Sequence, residues 1–527
     1  MSSHLWRSVV AAVEVTILAA LVLFLRCANY QEVFVAGNVY FTDADCYARM
    51  TRVALCAEAP GRILRHHDFE NFPFGTTPHT TAPLDYIILA LSLLLRPFSA
   101  HALDLAGAFV SPLLGVATAC FLWWWMRLAR FRYRWSALIL FAASPMLVHG
   151  TELGRPDHQS LLMLLLTVAI CAEWMLVRAP SRAWGIMSGS AWALALWVSL
   201  YEPLVLFVLA LGLLLVRARK FHLFAKPRVT GWICFCVILL VALTVERRLP
   251  SFASLAADPF VRNWSRQIGE LQPVLLLDRI WFRWTGYLLA LIPFILWTQR
   301  RRLFAEGESR RGSVLLSGLL GATFLLTLWQ ARWGYFFVSL FVISLPVLLD
   351  AFPSRPAVWT AFVLSLLPVA RNWDERFWPN DYELARRSES RAEAIDLREL
   401  AAGMRSSSAR SFLAPWWISP ALTYWSGQPA VAGSSHESIS GIVDSARFYA
   451  TDDIQKAREI LENRQVGFVI GYDAERLGAT SGQILGQSTG EHAVCYTLDR
   501  APSASPVFLV LAIQNPAGKL FRVANNR

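Results

Sequence analysis

The chain has 527 residues, of which 55% are hydrophobic and 17% charged, with a formal net charge of +11. Apolar runs near the length needed to cross about 30 Å of hydrocarbon recur as far as Ala370, which excludes a disordered chain and a wholly soluble protein. Lys and Arg concentrate in the short loops between those runs, a sign of cytoplasmic loops and not of a nucleic-acid surface.

In chain order, residues 9–25 form the first predicted span. Arg7 lies on its inner side, and no small-residue cleavage site precedes Arg26, so it is read as an uncleaved helix. Residues 28–82 are too polar to span. Residues 84–95 are apolar but short, and are read as an interfacial or part-embedded helix of a first external loop covering about 28–103. Further spans are predicted at 105–126, 136–148, 160–177, 183–200, 203–216, 230–245, 280–297, 313–328, 333–349 and 358–370. Basic clusters separate them, among them Arg127 to Arg134, the segment 217–228, and Arg300, Arg301 and Arg302. The total is about eleven crossings, with the N-terminus in the cytoplasm and a second external loop at about 247–279.

Past Ala370 the composition turns to mixed charge, which predicts a soluble α/β domain over 371–527. A charged helix is expected at 374–404 and an amphipathic helix at 453–463. Strands are expected at 411–414, 430–432, 467–470, 493–497 and 507–512. Eight cysteines are scattered without zinc-type CxxC spacing. Cys46 and Cys56 leave a disulfide open.

The predicted topology places Asp45, Asp157, Glu270 and Arg332 on one external face, which points to a single site. Asp43 and Asp45 suit a divalent cation, or a hydrated loop or helix cap. Asp157, His158 and Gln159 offer carboxylate, imidazole and amide donors, and Asp157 also fits the N-cap of the apolar helix that follows. Glu270 reads as a hydrogen-bond acceptor for a bound group, or as a partner of Arg262 or Arg266. Arg332 either snorkels or holds a phosphate.

Five segments then occur in a familiar order: FTDADCYARM, GRPDHQSLLMLL, IGELQP, RWGYF and APWWISPALTYWSGQPAVAG. This ordered set resembles the catalytic subunits of oligosaccharyltransferase, GT-C membrane glycosyltransferases, in a bacterial form. The resemblance implies a polytopic α-helical GT-C domain over 1–370, of about 11–13 transmembrane helices, followed by an external α/β domain over 371–527. It implies a multi-pass protein of the inner (cytoplasmic) membrane working as a single subunit. Its donor would be a glycan on a polyprenyl diphosphate, and its acceptor a polypeptide asparagine.

By the same resemblance, Asp45 and Asp157 hold Mn²⁺ or Mg²⁺, and Asp45 and Glu270 orient the acceptor amide. Arg332 holds the diphosphate, and Trp416 and Trp417 line the acceptor site. Two positions depart from the family. Gln159 stands where the third metal ligand is Glu or His, so His158 is the other candidate. Ile418 stands where an aspartate reads the sequon hydroxyl, and Ile cannot accept that hydrogen bond. The alternative reading is a GT-C transferase with a lipid, hydroxyl or envelope-polymer acceptor. A lipid-linked glycan flippase is a third, although transporters hold their ionisable groups near the bilayer midplane.

Overall fold

The structure is a computed structural model that describes residues 3–217, 225–247, 258–298, 308–350, 352, 354–405 and 411–524. Arg300, Arg301 and Arg302, and parts of the segments 217–228 and 247–279, lie outside the described residues. The chain divides into two compact units. One comprises Met1–Tyr30, Phe109–Arg247 and Glu270–Asn380; the other comprises Gln31–Ala108, Arg248–Gly269 and Asp381–Arg527.

The first unit is all helix. Among the described residues six helices are long and apolar enough to cross a membrane: Leu5–Arg26, Ala102–Leu128 (which begins in the second unit), His158–Arg178, Lys226–Glu246, Gly312–Trp329 and Ala331–Leu349. Several predicted single spans are broken helices. The run 136–148 divides into Arg134–Ala143 and Pro145–His149. Pro145 has no N–H to give the Phe141 carbonyl, and a proline ring clashes with the preceding turn. Arg26 supplies the missing donors: its guanidinium is fully buried and hydrogen-bonds the carbonyls of Phe141 (3.0 Å) and Ala142. In a medium without water such freed carbonyls need a donor from the protein.

The run 280–297 likewise breaks into Ile280–Thr285 and Leu288–Thr298. Gly286 stands between them at φ +77°, where a Cβ would lie 2.6 Å from the Ser365 carbonyl. Tyr287 donates its N–H to that carbonyl at 2.9 Å. The predicted span 358–370 falls into Arg355–Ser365 and Leu367–Phe377, with Pro368 opening the second piece. Helices Arg182–Val198 and Lys226–Glu246 cross with their backbones nearly touching at Gly185, Gly189 and Gly231. That is the close approach small residues permit between apolar helices.

The second unit is mixed. A short hairpin pairs β1 (Phe34–Val35) with β2 (Asn38–Val39). The main sheet has the order β3-β4-β6-β5, with β3 Phe412–Leu413, β4 Phe468–Gly471, β5 Leu509–Asn515 and β6 Gly518–Val523. β3 and β4 are parallel and the other pairs antiparallel. β4 is buried along its whole length, as its VGFVI surroundings predict for a central strand. Helix Ile454–Asn463 forms as expected, with Asp453 capping it through the N–H groups of Gln455 and Lys456.

Two predicted strands are corrected. Residues 430–432 contribute one isolated bridge, Phe412 to Ala430. Residues 493–497 fall mostly in the helix Val494–Arg500, so burial of an apolar run prevailed over its strand-like composition. β6 was not expected, because Lys519 and Arg522 interrupt its apolar pattern. The polar stretch before Ala82 is stitched to the C-terminal segment within this unit. Ala430 donates to the Phe69 carbonyl at 2.9 Å, and Arg464 holds the Asn71 side chain at 3.0 Å. Cys46 and Cys56 are free thiols. They sit on one helix, about 15 Å apart along its axis at 1.5 Å per residue, which is too far to bridge.

Candidate active site

In the first unit the site is built from four helix ends. Asp157 caps helix His158–Arg178, accepting from the His158 N–H at 2.7 Å. The same oxygen lies 2.7 Å from His158 Nδ1. The capping role read from sequence is therefore real, and it fixes the carboxylate against its own imidazole. Gln159, one residue on, is buried, and its Oε1 is a buried acceptor without a hydrogen-bond partner. A buried amide oxygen left in that state costs free energy until a donor or a cation meets it.

Arg332 sits in the short 3₁₀ turn Ala331–Trp333. Its Nη2 lies 2.6 Å from Glu202 Oε1, a carboxylate wholly removed from solvent at the start of helix Tyr201–Arg217. Ser199 donates to the other Glu202 oxygen at 3.0 Å. The guanidinium also lies 5.9 Å above the Tyr201 ring. Its Nε is buried without a hydrogen-bond partner.

Glu270 lies half-buried in the turn Gly269–Leu271. The Gln272 carbonyl accepts the Ala331 N–H at 2.8 Å, tying this loop to the Arg332 turn. Arg332 thus feels three carboxylates, those of Glu202, Glu270 and Asp157. His158 in turn lies within electrostatic reach of Glu202. So Asp157, Glu270 and Arg332 come together within one unit. Glu202, which lies between the predicted spans 183–200 and 203–216, is the carboxylate that Arg332 contacts directly. An acid opening an apolar helix was the available signal.

Asp45 belongs to the second unit. Asp43 caps helix Ala44–Glu58, accepting from Cys46 N at 2.9 Å, and Asp45 is exposed in the first turn. A carboxylate is favoured there by the helix dipole. The rest of that motif is structural. Tyr47 is buried, accepts the Phe41 N–H at 3.1 Å, and has its phenol pushed well above its ordinary range by burial. Arg49 and Arg52 both grip the buried Asp85 at 2.8 Å.

Trp416 and Trp417 share this unit. Trp416 Nε1 donates to Gln267 Oε1 at 3.1 Å, and its ring packs edge-on to Trp264 at 5.7 Å. Trp417 carries the Arg476 guanidinium 4.8 Å above its ring, and its indole N–H is buried without an acceptor. Ile418 is 7% exposed. The helix that follows, Ser419–Ser426, packs on helix Ala44–Glu58 through Trp425 and Tyr47, 5.1 Å apart.

As donors, the Asp157 carboxylate, the His158 imidazole and the orphaned Gln159 oxygen suit a hard or borderline divalent cation. A guanidinium with an unused buried N–H suits a phosphate.

Comparison with known proteins bears on the fold. No family model matches the chain. A curated archaeal relative, the dolichyl-phosphooligosaccharide-protein glycotransferase 1 of Archaeoglobus fulgidus, is 27% identical over 179 residues, covering 33% of this chain and 28% of the relative. The match therefore spans less than a third of that protein's length. The archaeal oligosaccharyltransferase AglB from A. fulgidus, solved with an inhibitory peptide and a dolichol-phosphate, superposes with a TM-score of 0.67. It does so at 12% identity, over 99% of this chain and 75% of that one. A structure of the A. fulgidus oligosaccharyltransferase with Zn and sulfate superposes at 0.63, with 15% identity over 97% and 73% of the two chains. ArnT from Cupriavidus metallidurans, bound to undecaprenyl phosphate, superposes at 0.56, with 13% identity over 100% and 99%. The chain has the fold of the GT-C membrane glycosyltransferases, a multi-pass helical domain with a small-sheet domain toward its C-terminus.

Proposed function

We propose that this chain is a membrane glycosyltransferase of the oligosaccharyltransferase kind. It would move a glycan from a polyprenyl diphosphate to a protein asparagine on the external face of the inner membrane. The observation that carries the proposal is that Arg332 contacts Glu202 and lies within electrostatic reach of Asp157 and Glu270.

In the reaction, the bond from the anomeric carbon to the phosphate oxygen breaks and a bond to the acceptor nitrogen forms, with inversion at carbon. Negative charge grows on the departing diphosphate, and a guanidinium aimed at it lowers the barrier. Arg332 takes that role, held in position by Glu202. Glu270 accepts hydrogen bonds from the acceptor N–H groups, and Asp45 is assigned the same task. A divalent cation shared by Asp45 and Asp157, with Gln159 or His158 beside it, would supply Lewis-acid stabilisation of the leaving group. Mn²⁺ and Mg²⁺ suit the carboxylates. Trp416 and Trp417 offer flat aromatic walls for the acceptor.

Ile418 favours a second reading, in which the same donor chemistry serves a lipid, hydroxyl or polymer acceptor.

The test is an in vitro transfer assay with purified chain, a synthetic polyprenyl-diphosphate glycan, and asparagine peptides or hydroxyl-bearing lipids as acceptors. Glycopeptide formation that disappears in Asp157→Ala supports the first reading, and transfer to lipid alone supports the second. Absence of both products, or equal activity in Asp157→Ala, overturns the site.

A further inference from the structure

Away from the residues assigned above, the second unit gathers His79, His436 and Glu437. Their ligand atoms all lie within 4.8 Å of one another. His79 Nδ1 lies 2.8 Å from Glu437 Oε1, and the His79 backbone N–H donates to the same oxygen at 2.6 Å. The His436 Nδ1 faces the other carboxylate oxygen at 3.5 Å. The two imidazoles stack at 5.0 Å between centroids.

A histidine–glutamate ion pair alone leaves two features unexplained. Glu437 Oε2 is a buried oxygen without a hydrogen bond, and so is Oε1 of the neighbouring, fully buried Glu70. Glu70 spends its other oxygen on Ser438 at 3.0 Å. Gly433 closes over it so tightly that a Cβ there would lie 2.5 Å from the Glu70 carboxyl carbon. Two buried carboxylate oxygens without hydrogen bonds, beside two imidazoles that can act as neutral nitrogen ligands, make a place that favours a cation.

We infer that His79, His436 and Glu437 form a second metal site, for a borderline divalent cation of the zinc class, distinct from the carboxylate-rich Asp45 and Asp157 set. Two nitrogens and one carboxylate are a zinc donor set, with water completing a tetrahedron. Ligand bonds of about 2.0–2.2 Å need the three atoms to draw in from their present spread by side-chain rotation. His79 is half exposed, so the ion has a way in. His79 comes from the polar stretch before Ala82, and the other two come from the C-terminal segment. The ion would therefore fasten these two parts of the unit together.

The experiment uses tag-free full-length protein in detergent, stripped with chelator and held in excess Mg²⁺ to occupy the acidic set. Zinc is then counted by elemental analysis, and cobalt is followed by its visible absorption. The wild type should bind one zinc equivalent and give the intense absorption of tetrahedral Co²⁺. The pair His79→Gln and His436→Gln should lose both signals while keeping a monodisperse elution profile. Glu437→Gln, which changes the least volume, should weaken zinc at least tenfold. Asp157→Asn should keep both signals even if glycosyl transfer proves to be absent from this chain. Equal zinc stoichiometry in wild type and double variant, or no zinc retained by the wild type at low micromolar free metal, overturns the site.

Discussion

Arg332 and Glu202 lie 2.6 Å apart, and Glu202 is removed from solvent altogether. A buried carboxylate is tolerated only when paired, and removing one partner leaves an uncompensated charge that costs about 3–5 kcal/mol. Glu202→Leu should therefore lower thermal stability sharply, while Glu202→Leu combined with Arg332→Met should lose far less. Calorimetric or fluorescence melting of the four proteins in detergent completes the cycle. A double-variant loss equal to the sum of the two single losses would show that the pair is not coupled. If Arg332 also grips the donor, Arg332→Lys keeps the charge but loses the planar fork, and the KM for the lipid-linked donor should rise about tenfold.

The crossing of helices Arg182–Val198 and Lys226–Glu246 gives a prediction on stability alone. A Cβ on Gly189 would stand 2.0 Å from the Gly231 carbonyl oxygen, a backbone atom that cannot swing aside. Gly189→Ala should force the helices apart and destabilise by about 1–3 kcal/mol. Gly212, also helical, has nothing within 4 Å of its would-be Cβ. Gly212→Ala should be neutral or stabilise by up to about 1 kcal/mol through helix propensity. Melting temperatures of the two variants decide it; a tolerant Gly189 would mean that the helices can separate freely.

Much of this molecule could be read from its residues, for identifiable reasons. Long apolar runs report the membrane class because the bilayer fixes their length. The motif order carried the resemblance, and Asp157 and Glu270 lie within electrostatic reach of Arg332. What stayed hidden depends on tertiary contacts. Nothing local distinguishes Gly286 from any glycine in an apolar run, yet it breaks a helix because the Ser365 carbonyl packs against it. Glu202 falls between two predicted spans, and nothing local marks its pairing, because its partner Arg332 lies far along the chain. Val494 to Thr497 have strand composition yet fold as the start of a helix that buries Val494, Cys495 and Leu498. In FTDADCYARM, half of the motif is committed to packing: Tyr47 lies under Trp425, and Arg49 is locked to Asp85.

His67 sets a pH dependence. It stacks on Phe69 at 3.7 Å, and burial beside Arg52 and His66 lowers its imidazole from 6.5 to about 3. The folded state therefore prefers the neutral ring, so this contribution to stability is complete above pH 6.5 and is lost as pH falls toward 3. Over that window the loss is about 1.4 kcal/mol per pH unit for one proton. His67→Asn should lower stability at pH 7.5 yet flatten its fall between pH 6.5 and 4.5, the range below the ordinary imidazole value. Chemical denaturation at a series of pH values measures the slope. An unchanged slope would assign the acid sensitivity to other groups.

The last prediction concerns Ile418, which is 7% exposed and sits immediately before the helix Ser419–Ser426. An isoleucine there offers no acceptor for a hydroxyl two residues beyond the target asparagine. If peptides are substrates at all, exchanging that threonine for alanine should change kcat/KM by less than about threefold, since only a methyl-sized contact is at stake. Ile418→Asp introduces a carboxylate beside Trp417, whose buried N–H lacks an acceptor. A hydrogen bond to a charged group contributes about 1.5–3 kcal/mol, so the variant should prefer the threonine peptide by about tenfold or more. Competition between the two peptides, read by mass spectrometry, measures both ratios in one tube. Strong preference for threonine in the wild type would show that another side chain reads the hydroxyl. Transfer to neither peptide, with turnover of a lipid or hydroxyl acceptor, would mean that Ile418 marks a change of acceptor class.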